Sequence, residues 1–320
     1  MSTYYVSTTG NNGNAGTIGS PFLTIARGLS AMVAGDTLYV RAGTYLEQIN
    51  SNAQTIPTGT SWVDAPRISA YPNETVTIRG GGSEVINLAA SYIRYLIFDG
   101  FIIDAINSGD GISFFGGSNH VRIQNCEIKN CKYQGILTSP GNGLSSDYNE
   151  FINLRIHDTG TSGSGHAIYI STSNNLVDRC ELYTNQKYGV QVYNGNYPSE
   201  SANYNTIRNS KFHDCGLLLS ASAAAIVLSS GTGNVAYNNL VYNNRAGIQV
   251  ATSALTTATK VFNNTIYSNT YQGVLVQSGG SNTLIKNNII YLNGALPIEV
   301  HGTNTLQLNN LTTNPSFVSV

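Results

Sequence analysis

A chain of 320 residues with 41% hydrophobic and only 10% charged residues has ample material for a core. Its formal net charge is −1, which excludes nucleic acid as a partner, because no basic stripe exists to displace counterions from phosphates. No run of about 18 apolar residues occurs, so no membrane-spanning helix and no membrane partner are expected.

In chain order, Met1–Val6 carries neither a basic n-region nor an apolar h-region, so no signal peptide is expected there. Both an extracellular protein whose leader has been removed and a virion-associated protein fit that start. Ser20-Pro21 followed by Phe22, Ile25, Ala26, Leu29 and Met32 predicts a helix with Ser20 as N-cap and Pro21 at its first position. Such a helix would cover the first rung and block edge-to-edge association. Thr37–Val40 and Ile68–Ala70 read as strands.

From Tyr95 onward the chain repeats itself. One phrase recurs as Tyr95–Asp104, Val121–Asn130, Asn149–Asp158, Asn175–Thr184, Asn205–Asp214, Val235–Asn244, Lys260–Asn269 and Thr283–Leu292. A second follows each, as GISFF at Gly111, GILTS at Gly135, HAIYIS at His166, YGVQVY at Tyr188, AAIVLS at Ala224, AGIQVA at Ala246, QGVLVQ at Gln272 and PIEVH at Pro297. Both alternate apolar and polar residues, the period of a strand. A repeat of roughly 22–36 residues with two or three short strands predicts an all-β solenoid of β-helix coils. One domain is expected: residues 1–45 as N-terminal cap and first strands, 46–308 as coils, 309–320 as the C-terminal end.

Aligning the first phrase puts Asp99, Asn125, Asn153, Arg179, Asn209, Asn239, Asn264 and Asn287 in one column. This predicts an inward asparagine ladder, interrupted at Arg179. Among the cysteines, Cys126 and Cys180 share a column two rungs apart, and Cys131 and Cys215 share another three rungs apart. A disulfide needs Cα atoms within about 7 Å, so four free thiols are expected.

The segment YYVSTTGNNGNAGTIGSPFLTIARGLSAMVAGDTLYVRAGTY (Tyr4–Tyr45) resembles the N-terminal part of bacterial and phage β-helix proteins of the pectate-lyase-like superfamily, and the repeats resemble the same group over nearly the whole chain. The resemblance implies a right-handed parallel β-helix with a short capping helix. It leaves the activity open among pectate, alginate and chondroitin lyases, polygalacturonases, alginate epimerases, tailspike depolymerases and non-catalytic surface proteins.

The alternation assigns faces. With Ile112, Ile136, Ile168, Val190, Ile226, Ile248, Val274 and Ile298 inward, the outward column is Ser113, Leu137, Tyr169, Gln191, Val227, Gln249, Leu275 and Glu299. His166 and Tyr188 stand on adjacent rungs two residues before the inward position, with Lys187 and Arg245 one place earlier. The longest loops are expected at 158–166, 194–204 and 214–224, beside the same rungs.

β-Elimination on a uronic-acid polymer needs the carboxylate neutralised, a base at C5 and an acid at the glycosidic oxygen. Lys187 or His166 is the candidate base, Tyr169 or Tyr193 the acid, and Arg179 the neutralising cation. His157, Tyr188, Gln191, His213 and Arg245 are candidate substrate contacts. Asp158, Asp178 and Asp214 are the carboxylates nearest to a Ca²⁺, an ion that prefers several oxygen ligands. Three readings remain open: a polysaccharide lyase on an acidic glycan, a non-catalytic glycan-binding or phage or cell-surface β-helix, and an inverting glycoside hydrolase using Asp158 and Asp214. The partner in each is a polysaccharide or oligosaccharide. The paired-aspartate and Arg-Ile-Lys motifs of polygalacturonases and the Asp-Pro-His motif of epimerases are missing.

Overall fold

The computed structural model describes residues 1–90, 92–162, 165–195, 202–216, 223–251 and 255–317. The chain winds as a right-handed parallel β-solenoid of about 10 turns. Each turn lays down three short strands, here called leading, middle and trailing in chain order; Glu150–Ile152, Arg155–His157 and Ile168–Ile170 are one such set. Stacking produces a 12-stranded leading sheet from Thr3–Val6 to Leu306–Leu308. The middle sheet has 10 strands, from Gly43–Tyr45 to Ile289–Tyr291, and the trailing sheet has 10, from Ile49–Asn50 to Ile298–Val300. A small 3-stranded sheet (Gly231–Thr232, Thr256–Thr257, Gly280–Ser281) runs alongside the later turns.

Three-residue strands bury their central side chain or their two outer ones, and this is what the alternation dictates. Ile156, Leu182, Phe212 and Val241 of the middle sheet, Phe151, Val177 and Ile207 of the leading sheet, and Ile136, Ile168 and Val190 of the trailing sheet all meet in one core. Between strands the chain must turn within a residue or two, and it does so through left-handed backbone. Asn125, Asn153, Arg179, Asn209, Asn238, Asn263 and Asn287 all have φ between 50° and 56°. Asparagine tolerates that region because its short amide bonds locally.

This geometry corrects the expected ladder. Asn125, Asn153, Arg179, Asn209 and Asn287 occupy the left-handed corner rather than an inward column, although Asn153 Nδ2 donates to Asn125 Oδ1 and Asn125 Nδ2 to Asp99 Oδ1 (2.7 Å each) along the axis at that corner. The inward position is one residue later: Cys180 N–H donates to Ser210 Oγ, Ser210 N–H to Asn239 Oδ1, and Asn239 Nδ2 to Asn264 Oδ1 (3.0 Å in each case). Asn264 Nδ2 continues to Asn288 Oδ1 (3.0 Å), and Asn288 Nδ2 to Asn310 Oδ1 (2.9 Å). Asn239 and Asn264 therefore belong to a different column from Asn125. Arg179 breaks nothing, since it points to solvent from the corner.

The helix spans Ile25–Ala31, and its N-cap is Thr24, whose hydroxyl accepts from Arg27 N–H, not Ser20. Ser20 instead bridges to Thr17, and the Glu47 carboxylate accepts from Ile25 N–H (3.0 Å) and Ala26 N–H (3.1 Å). A carboxylate arriving from the next turn satisfies the first helical donors, so the helix has no need of Pro21 at its start.

All four cysteines are free and buried. Burial pushes the thiols of Cys126, Cys180 and Cys215 up to about 12 and raises that of Cys131 as well. Of the expected long loops, residues 163–164, 196–201 and 217–222 lie outside the described residues.

Candidate active site on the trailing sheet

Parallel pairing of the trailing strands fixes the outward column in register as Ser113, Leu137, Tyr169, Gln191, Val227, Gln249, Leu275 and Glu299, with Asn87 preceding Ser113. The second column, two residues before each inward side chain, begins with Glu84 paired to Asp110. It continues through Gln134, His166 and Tyr188, since Gly111, Gly135 and Ala167 each donate a backbone N–H to the carbonyl of the next member (3.0 Å in each case). These two columns lie on one side of the sheet, which is covered at the rung of Val227, where Val227 is fully buried and packs with Tyr188, Ala223, Ala224 and Ala246.

His166 is the centre of that face. Its ring meets Tyr169 edge-on at 5.3 Å and tilts against Tyr188 at 4.9 Å. It is only 5% exposed, and its Nδ1 has no hydrogen-bond partner. Burial first, and the Lys187 charge second, push its pKa down to about 3, so the imidazole is neutral at any ordinary pH. A neutral ring is an acceptor for a hydroxyl and a weak proton carrier. Gln191 is buried on the adjacent rung, and Gln249, buried two rungs beyond that, has an Oε1 that also lacks a donor.

Cations line one edge. Lys187 Nζ lies 5.1 Å from the Tyr188 ring centre, the Arg245 guanidinium 4.7 Å from that of Tyr271, and Lys132 Nζ 5.2 Å from that of Tyr133. None of the three forms an ion pair among the described residues, although most other cations of the protein do. The Tyr193 hydroxyl turns onto Gly195 and is not brought against His166 by any observed contact.

Several expected site residues lie elsewhere. His157 and His213 belong to the middle sheet, in a ring stack that runs His157–Tyr183–His213–Tyr242 with centroids 4.7, 5.1 and 5.2 Å apart. Each imidazole Nδ1 is engaged by the next residue, Asp158 or Asp214, at 2.7 Å, and each Nε2 faces Glu127 or Glu181 at 3.4 Å. Asp178 and Arg179 lie on the leading sheet and its corner. Asp178 is buried; burial pulls its pKa upward, but hydrogen bonds from Arg208 and Asn209 prevail and hold it below the usual carboxylate range. Asp158, Asp178 and Asp214 thus share no site, and among the described residues no group of three metal-ligating side chains exists. The donor set does not fit Ca²⁺. Asp158 and Asp214 are separated by the rung of Thr184, whose Oγ1 donates to Asp158 (2.9 Å). The two carboxylates thus keep the expected two-rung spacing, on the middle-sheet side and not on the face of His166, with each engaged by its own histidine.

Two carboxylates escaped the sequence reading. Asp110 and Glu84 stand in the column of His166, and Asp110 lines a cavity of about 740 Å³ together with Ser83, Asn107, Asn130, Lys132 and Tyr133. Burial, reinforced by Glu84, raises the Asp110 pKa to about 6. Asp110 precedes Ile112 by the same two residues that separate His166 from Ile168, so extending the second phrase backward would have found it.

A family model described as "Right handed beta helix region" matches residues 73–254 and 143–314. The protein YwoF of Bacillus subtilis (strain 168), itself uncharacterized, is 25% identical over 347 aligned positions, covering 90% of this chain and 68% of the relative. Among solved structures, pectate lyase Pel9A superposes with a TM-score of 0.73 at 18% identity, covering 100% of this chain and 82% of that one. An alginate lyase from Paenibacillus sp. str. FPU-7 gives 0.66 at 17% identity, covering 94% and 99%. At such identities the likeness is one of fold.

Proposed function

Because the chain belongs to the right-handed β-helix family, we propose that it is a polysaccharide lyase that cleaves a uronic-acid-containing glycan by β-elimination along the outer face of the trailing sheet. One observation carries the reading: Lys132, Lys187 and Arg245 line one edge of this face with no carboxylate partner among the described residues, in a chain where charge is scarce. Uncompensated cations two rungs apart, about 9.6 Å by strand spacing, match a polymer that carries carboxylates along its length.

In this scheme Arg245 and Lys132 hold carboxylates of flanking sugars, and the Gln191 amide, on the rung of Lys187, binds the carboxylate of the sugar that is cut. Lys187 removes the C5 proton. The C4–O bond then breaks, a C4–C5 double bond forms, and the Tyr169 phenol protonates the departing oxygen. His166 Nδ1 accepts a sugar hydroxyl and holds the ring in place. The helix Ile25–Ala31 is read as the cap of the first turn, and a polymeric substrate fits a secreted or virion-associated protein.

The test is ultraviolet absorbance of unsaturated uronate, followed on pectate, alginate and glycosaminoglycan panels. Wild type forms product on at least one. Lys187→Ala lowers turnover by about 100-fold or more, and His166→Ala mainly raises KM. Binding of these glycans without any unsaturated product would overturn the lyase reading and leave a glycan-capture surface.

A further inference from the structure

We propose that the cavity beside Lys132 is the anchoring subsite for the glycan, enclosing one uronate sugar with its carboxylate on Lys132 and its hydroxyls on Ser83, Asn107 and Asp110. The occupant rests on the uronan reading above, which the subsite deepens by fixing where one sugar of the chain is held.

The cavity follows from a change in strand length. Gly82–Leu88 and Ser108–Phe114 run for seven residues each, whereas the next strand of the trailing sheet, Ile136–Thr138, has three. Residues 131–134 are thus no longer paired as a strand. They touch the sheet through Tyr133 N–H, which donates to the Gly109 carbonyl (2.8 Å), and Gln134 N–H, which donates to Asp110 Oδ1 (2.7 Å). The step leaves a cavity of about 740 Å³, a size suited to a small ligand. Residues 108–110 form its floor, and the turn at 130–133 forms a wall. The Tyr133 ring can lie against that floor because residue 109 is glycine; a Cβ there would come within 3.1 Å of the ring.

The lining has the chemistry of a sugar site. Among the described residues no side-chain hydrogen bond engages Ser83 or Asn107. Asn130 Nδ2 donates to Asp104 Oδ1 (2.8 Å), which leaves the Asn130 Oδ1 as an acceptor. Lys132 forms no ion pair among the described residues, although Asp110 lines the same cavity. Lys132 is also not among the groups that lower the Asp110 pKa, so its ammonium is left for an anion from outside. Its position is fixed: Ser162 N–H and Oγ donate to the Lys132 carbonyl (3.2 and 2.9 Å), and Nζ lies 5.2 Å from the Tyr133 ring centre. Tyr133 is 40% exposed and offers its ring to the apolar side of a pyranose. A bare anion would satisfy Lys132 alone, whereas the amides and hydroxyls across the cavity call for a ligand that bears hydroxyls as well.

Asp110 makes the subsite sensitive to pH. Around it stand Glu84 on the preceding strand, Cys131, Lys132 and Tyr133 on the following turn, and Asp104, paired with Arg79, at the end of the middle strand. Burial raises the Asp110 pKa to about 6. Below that value Asp110 is a neutral donor to a sugar hydroxyl; above it, its charge opposes the uronate carboxylate across the cavity. Affinity for a uronate should therefore fall as pH rises through about 6.

The test reads binding in the Lys187→Ala background of the full chain, so that cutting does not interfere and the result stands whether or not the wild type forms unsaturated product. Tetragalacturonate and tetramannuronate are titrated calorimetrically, with maltotetraose as the neutral control. At least one uronate should bind about tenfold or more tighter than maltotetraose. Lys132→Met and Asn107→Trp, both at exposed positions, should each weaken it by about tenfold, the first by removing the cation and the second by filling the cavity. Between pH 5 and pH 7.5 the affinity should drop by about fivefold, and Asp110→Asn should hold the acid-side affinity throughout. No binding of either uronate, equal binding of maltotetraose, undiminished affinity in either variant, or a pH profile unchanged in Asp110→Asn would overturn the subsite. Unsaturated product from the wild type together with undiminished affinity in both variants would remove the subsite and leave the lyase reading standing.

Discussion

Asp110 carries a stability cost that can be read from pH. Its folded pKa of about 6 lies above the value of about 3.9 for an unfolded aspartate. As pH rises from 4 to 6 the unfolded chain gives up its proton first, so the native state loses stability over that window and stays lower above it. Asp110→Asn cannot ionise and should be more stable than wild type at pH 7.5 by about 3 kcal/mol, with no difference near pH 3.5. Thermal melting at the two pH values checks this, and a variant equally stabilised at both would mean that ionisation is not the cause. His166 was legible in sequence because it opens a recognisable phrase after a Gly/Ser-rich stretch. Asp110 sits just upstream of its own phrase, where the eye stopped aligning.

At the scale of a turn, the corner and the inward position demand different things from neighbouring residues. Asn238-Asn239, Asn263-Asn264 and Asn287-Asn288 fill both with the same residue type, so side-chain identity alone cannot say which asparagine points in. The sign of φ decides, and no composition or periodicity reports it. Arg179, held at φ 55° and exposed, has a β-carbon in a region that costs about 1 kcal/mol; its contact with Asp178 is long, at 3.6 Å. Arg179→Asn should therefore stabilise by about 0.5–1 kcal/mol and leave turnover unchanged, the opposite of what a catalytic arginine would show. Asn264→Ala should cost about 3 kcal/mol, because it strands the Asn239 N–H and amide and the carbonyls of Ala236 and Phe262 together. Parallel melting curves of the two variants measure both effects, and a small loss in Asn264→Ala would show that water replaces the amide.

For the whole molecule, the repeat revealed height but not direction. Counting residues placed His157, His166, Arg179 and His213 on neighbouring rungs, and the strand pairing agrees. Their distribution over three sheets depends on how far the chain rotates at each corner, which the alternation of short strands does not encode. Once the faces are separated, the trailing sheet carries Glu84 and Asp110 towards one end with Lys132 close by, Lys187 and Arg245 further on, and Glu299 on the last rung. Local field, not net charge, should then govern capture of an acidic glycan, since screening confines each charge to about 8–10 Å at physiological salt. Arg245→Glu and Lys260→Glu change the net charge equally, but Lys260 is exposed on the leading sheet. Arg245→Glu should weaken uronan binding by about tenfold, about 1.4 kcal/mol, and reduce its salt dependence, whereas Lys260→Glu should stay within about twofold. Calorimetric titration with a uronan oligomer at low and high salt distinguishes them; equal losses in the two variants would mean that the protein attracts its glycan by overall charge, and the trailing face would lose its claim to the substrate.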